Sequence, residues 1–102
     1  MLSKSEKQVM ELLWVSKKPL SCVEIIELST QKTWKDSYIH ALMNSLMKKG
    51  LIMIETFELI SRSYARKFAP KITKPEYIVR EILENTTSDE LYEVTRLLNK
   101  QI

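Results

Sequence analysis

Lys35, Ser37, Tyr38, His40, Ala41 and Asn44 would share one face of a helix, and their chemistry suits recognition rather than bond making. Asn44 can form a bidentate pair with adenine, His40 can donate to a phosphate or to guanine, and Ala41 can touch a thymine methyl. Tyr38 can donate to a phosphate through its hydroxyl. A second group, Arg62, Tyr64, Arg66 and Lys67, combines cations with an aromatic ring, as a segment tracking phosphates or a minor groove requires. Plainer roles fit the same residues. Any amphipathic helix needs a polar face, and charges on an exposed strand discourage edge-to-edge aggregation.

Catalysis and metal binding have little to stand on. His40 is the single histidine, Cys22 the single cysteine and Gly50 the single glycine. No Ser-His-Asp or Cys-His pairing is suggested, no paired carboxylates sit in a recognisable loop, and one glycine cannot build a phosphate cradle. The expectation is a protein that is not an enzyme and carries no metal and no cofactor. Cys22, at a predicted helix start, reads either as a thiol with a lowered pKa or as a quiet small residue. Trp14 and Trp34 read as core aromatics rather than ligand platforms, and Met43 and Met47 as core filler.

The 102 residues are enough for one small cored domain with a short appendage. Apolar residues make up 44% and charged residues 28%, so the composition is that of a globular chain rather than a disordered one. No apolar run is long enough to span a bilayer, and Glu6 and Lys7 interrupt any secretion-type start. No membrane partner and cytoplasmic residence are therefore expected. The net charge of +3 is unevenly placed. Residues 1–75 hold 13 Lys and Arg against 7 Asp and Glu, whereas residues 76–102 hold 3 against 6. A basic front suits a polyanion, and an acidic end does not.

Helix starts are marked by reciprocal caps. Ser3 with Glu6, Ser21 with Glu24, Thr73 with Glu76 and Thr87 with Glu90 have capping-box spacing. Thr33 with Asp36 is a weaker fifth, in which Asp36 competes as the N-cap. These starts predict helices over 4–16, 22–30, 34–49, 74–85 and 88–100. The third would bury Ile39, Leu42, Met43, Leu46 and Met47 and turn Ser45 outward with the polar face. It would end at Gly50, after Lys48 and Lys49. Beyond it, residues 51–57 and the alternating 62–69 predict a hairpin joined near 58–61, with Pro70 ending the second strand. Residues 17–20 offer a short third strand.

Three helices followed by a hairpin describe a mostly α fold with a small β-hairpin: a winged helix-turn-helix followed by two C-terminal dimerisation helices. Residues 1–72 form the expected DNA-binding domain and 73–102 a helical dimerisation region. In such a motif the second helix enters the major groove while the preceding one braces on the backbone. Tyr77, Ile78 and Ile82 in the fourth helix and Leu91, Val94, Leu97, Leu98 and Ile102 in the fifth give two apolar faces. Two short helices cannot easily bury all of these alone. A homodimer would cover them and would suit a palindromic site; packing against the first helix is the alternative.

The segments "LSKSEKQVMELLW", "PLSCVEII", "TW", "LMNSLMKKGLI" and "FAPKITKPEYI" resemble the penicillinase and methicillin-resistance repressors and their copper-responsive relatives. The resemblance covers nearly the whole chain, and the spacing from Trp34 to Gly50 is its most specific part. It implies a dimeric winged-helix repressor that binds double-stranded DNA at a palindromic operator. In well-known members, cleavage of the repressor releases the operator, so a regulatory protease of unspecified identity would be a further partner. The chain departs from the family pattern in three places. Lys35-Asp36-Ser37-Tyr38 stands where Ser-Pro-Lys-Thr is usual, and the wing lacks the usual glycine turn. The C-terminal region is short, without a clear counterpart of the cleavage segment and without the metal-binding cysteine tail. A winged-helix module that binds protein and has lost DNA affinity is the competing function.

Overall fold

The computed structural model describes all 102 residues and divides into two compact units, Met1–Ile72 and Thr73–Ile102. The first contains α1 (Lys4–Val15), α2 (Cys22–Leu28), a 3-10 turn (Asp36–Tyr38), α3 (Ile39–Lys48), β1 (Ile52–Ile60) and β2 (Ser63–Pro70). The second contains α4 (Lys74–Asn85) and α5 (Ser88–Gln101). This is a winged helix-turn-helix followed by two C-terminal helices, the fold class expected. No helix is long and apolar enough to cross a membrane.

The caps set the helix starts. Ser3, Ser21, Thr73 and Thr87 each accept from the backbone N–H three residues on. In return, the glutamates Glu6, Glu24, Glu76 and Glu90 each accept from the N-cap backbone. The weaker fifth cap does not form. Lys35 flanks the 3-10 turn and Tyr38 flanks α3, and neither gives a side-chain cap. Without such an acceptor, the first turn tightens and Tyr38 N–H bonds to the Lys35 carbonyl at 2.9 Å. The Asp36 carboxylate pairs instead with Lys32 at 2.8 Å. The predicted helix over 34–49 is thus a 3-10 entry followed by a ten-residue α-helix.

The first unit closes around one apolar core. Val9, Met10 and Leu13 of α1 are buried, as are Ile25 of α2 and Ile39, Leu42, Met43 and Leu46 of α3. Trp34, Leu51, Ile52 and Phe68 complete it, while Met47 is only half-buried. Trp14 is half-buried and donates its indole N–H to the Ile72 carbonyl at 3.0 Å, a structural role. Gly50, at φ +71°, ends α3: its N–H bonds to Met47 and that of Leu51 to Leu46, the two bonds of a Schellman cap.

The hairpin turn lies later than the residue pattern indicated. Ile60 pairs with Ser63, leaving Ser61 and Arg62 as a two-residue loop. Ser61 takes φ +58°, the positive value that the first loop residue of a II′ turn needs. Arg62 therefore sits in the turn rather than in the strand. A bulge at Glu55 interrupts the register between Ile54 and Thr56. Beyond it, Phe57 faces Arg66 and Leu59 faces Tyr64. The expected third strand reduces to one bridge, in which Leu20 and Phe68 exchange hydrogen bonds of 2.9 and 2.8 Å.

Candidate nucleic-acid interface

The outer side of α3 follows from its inner one. Ile39, Leu42, Met43 and Leu46 fix the buried stripe, so His40, Ala41 and Asn44 must face outward, and all three are exposed. Lys35, Ser37 and Tyr38 are exposed at the entry to the helix. Lys48, which the sequence pattern marks only as a helix-ending cation, joins this face. It is exposed and lies one turn beyond Asn44, on the same stripe as Ser37, His40 and Ala41. Its i+4 spacing from Asn44 was the available signal. The side chains of Lys35, Ser37, Tyr38, His40, Asn44 and Lys48 make no hydrogen bond or ion pair within the chain.

Neighbouring polar groups are engaged. Ser45, read as part of the outer face, is half-buried and donates its hydroxyl to Glu6 at 2.6 Å. The Lys49 ammonium reaches both Glu6 carboxylate oxygens, at 2.8 and 2.9 Å. Glu6 is 4% exposed. Its burial opposes ionisation, but bonds from Lys49, Ser3 and Ser45 outweigh this and hold its pKa at about 2.

On the wing, Arg62 and Tyr64 are exposed. Arg66 is half-buried, its guanidinium 5.3 Å from the centroid of the Phe68 ring. Lys67 requires a correction. It is 8% exposed, and its ammonium bonds to Glu24 at 2.5 Å and Glu58 at 2.6 Å. Both its burial and its two carboxylate partners remove it from the groups available to a phosphate. The Lys67 bond and the Ser21 backbone bond hold the Glu24 carboxyl at about 2, while the two carboxylates push the Lys67 pKa up. The hairpin also exposes Phe57, Leu59 and Ile60, making the wing more apolar than its cations alone suggest.

A family model described as penicillinase repressor matches residues 2–84, from before α1 into the last turn of α4. The chain belongs to the penicillinase repressor family. Penicillinase repressors are transcriptional regulators, and a transcriptional repressor is the function this membership supports. The chain is 27% identical over 116 aligned positions to the methicillin resistance regulatory protein MecI of Staphylococcus aureus strain N315. That alignment covers 98% of this chain and 94% of the relative. The proteins of the same name from Staphylococcus epidermidis and Mammaliicoccus sciuri are 27% and 26% identical over the same coverage. These alignments are longer than the 102-residue chain, so this family member lacks residues that its relatives carry.

The second unit of this penicillinase repressor relative is compact at its turn: only Thr86 and Thr87 separate α4 from α5, and Thr87 is already the N-cap of α5. Ile78, Leu97, Leu98 and Ile102 are exposed, and Ile82, Leu91 and Val94 are half-buried. Tyr77 differs from these. It is 8% exposed and its hydroxyl donates to Glu81, so it offers little surface to another chain. Val79, Leu83 and Tyr92, outside the candidate set, are exposed as well. Burial raises the Cys22 pKa, which argues against a reactive thiolate.

Proposed function

We propose that this protein is a sequence-specific DNA-binding repressor that acts as a homodimer on a palindromic operator. The observation that carries the reading is the α3 surface. Its outward polar groups have no partner within the chain, whereas Ser45, Lys49 and Lys67 nearby are fully engaged. A major groove supplies what that surface lacks: base edges for Asn44 and His40, and phosphates for Lys35, Tyr38 and Lys48. Arg62, Tyr64 and Arg66 of the wing would follow the backbone beside it. Exposed apolar residues on α4 and α5 support pairing of two chains, which would place two α3 helices on successive turns of the duplex.

Selection from a random duplex pool at several salt concentrations tests this. The expected result is one enriched palindrome with half-sites about 10 base pairs apart and an affinity that falls with salt. Asn44→Ala should relax preference at one position, at a cost of about 1–3 kcal/mol. Lys48→Gln should weaken all sites alike and flatten the salt slope by about one. The second reading is a winged-helix module that binds protein and has lost DNA affinity; the exposed Phe57, Leu59 and Ile60 of the wing favour it. No enriched palindrome and no salt dependence would decide for that module.

A further inference from the structure

A groove of about 580 Å³ runs between one face of α1 and the segment that leaves α2, within the first unit. It lies within the usual range of small-ligand sites, about 300–1,000 Å³. Its polarity is sorted along α1. Lys4 and Lys7 line it toward the start of the helix, and Leu12 and Val15 toward the end. Leu28 and Lys32 line the opposite wall. Val15 and Leu28 are 76% and 53% exposed, so the first unit leaves this apolar floor open to water. Three ammonium groups line the groove against one lining carboxylate, Glu11, and Asp36 pairs with Lys32 from beyond the lining, so cations outnumber carboxylates by three to two. An apolar floor beneath a surplus of cations complements a small molecule with a hydrocarbon body and an anionic head.

The groove also touches the entry to α3. Lys32 pairs with Asp36 at 2.8 Å, and its ammonium lies 5.6 Å from the centroid of the Trp34 ring. Gln8 lines the groove, and its carbonyl oxygen accepts from both the backbone N–H and the hydroxyl of Thr33 at 3.4 Å. The 3-10 turn that follows has no side-chain cap, and the Lys32–Asp36 pair is the one ion pair that reaches into it. An anion bound at Lys32 would compete with Asp36 for it.

We propose that this groove is a binding site for an amphipathic organic anion, such as a medium-chain or aryl carboxylate, and that occupancy resets the turn that opens α3. The regulatory half rests on α3 reading DNA; the binding half does not. The full chain, without DNA, is titrated with octanoate by calorimetry and amide NMR, alongside acetate (the same charge without the tail) and octanol (the same tail without the charge). The expected result is saturable octanoate binding with a Kd of about 1 mM or tighter. Amide shifts should centre on Leu12, Val15 and Leu28 and extend to residues 36–39. The Lys4→Gln, Lys7→Gln double variant should weaken octanoate about tenfold or more, near the upper value of two exposed ion pairs, and the matching arginine variant should retain it. No saturation, octanol binding as tightly as octanoate, or shifts confined to the wing would overturn the site. Preference for an acidic peptide over octanoate would also overturn it. On the selected duplex, octanoate should change the affinity of the wild type and leave that of Lys32→Met unchanged. Octanoate binding with no shift at residues 36–39 and no effect on duplex affinity would overturn the regulatory half alone.

Discussion

At Lys67, two carboxylates take up a charge that its place in an exposed-looking strand would otherwise offer to a polyanion. Lys67→Met should therefore act on stability more than on DNA affinity. It would leave Glu58 without its cation and Glu24 with only the more distant Lys18 at 3.9 Å, at a cost of about 1–3 kcal/mol for a charge-assisted bond among partly hydrated groups. Thermal denaturation measures the loss, and the salt slope of duplex binding should stay the same. Glu6 gives a prediction in pH. Its carboxyl titrates near 4.5 when free and at about 2 in the folded chain. Its stabilisation is therefore present above pH 4.5 and disappears as the pH falls toward 2, a change of about 3 kcal/mol at most. Glu6→Gln should flatten the dependence of unfolding free energy on pH in that window. An unchanged slope would remove Glu6 as its source.

At the scale of the element, α3 is bounded by two different devices. Its C-terminus has a complete Schellman cap built on Gly50 at φ +71°. A methyl group there would meet nothing within 4 Å, so Gly50→Ala isolates the backbone term. The variant should lose about 1 kcal/mol with no change in fold, read from the denaturant midpoint at constant m. The N-terminus has no side-chain cap and opens through the 3-10 turn. One end is thus closed by its own backbone bonds, and the other opens beside the pairing of Lys32 with Asp36. The wing is bounded differently again. Its two-residue loop needs positive φ at Ser61, where a glycine would sit at lower cost.

At the scale of the whole molecule, the proposed function requires two chains to meet. The second unit exposes Ile78, Val79, Leu83, Leu97 and Leu98 on short helices, more apolar surface than a lone pair of helices usually leaves to water. Under the proposed dimer, Leu98→Asp should shift sedimentation toward the monomer and weaken binding to the full palindrome. Binding to a half-site should remain close to that of the wild-type monomer. Full dimerisation by the variant would place the interface elsewhere.

What could be read from the sequence and what could not are joined in the same residues. Ser3 with Glu6, Ser21 with Glu24, Thr73 with Glu76 and Thr87 with Glu90 announce four helix starts, and all four capping boxes form. Three residues of separation bring those groups together whenever the helix forms. The order of helices and hairpin and the buried stripe of α3 are legible for a related reason, since helix and strand periodicities are local. The hairpin turn falls later than the residue pattern predicts because the loop carries no Asn-Gly or Asp-Gly mark, and the bulge at Glu55 shifts the register. Glu6 meets Lys49, and Glu24 meets Lys67, across 43 residues. No local spacing encodes those meetings; packing of α1 with α3 and of α2 with β2 creates them. The sequence by itself determined where each helix begins and which of its faces is buried. The tertiary structure alone decided that Ser45, Lys49 and Lys67 serve the fold, and left Lys48 with Asn44 and His40 facing outward. Helix periodicity fixes direction locally, but whether a charge stays available depends on which distant side chain packing brings to it.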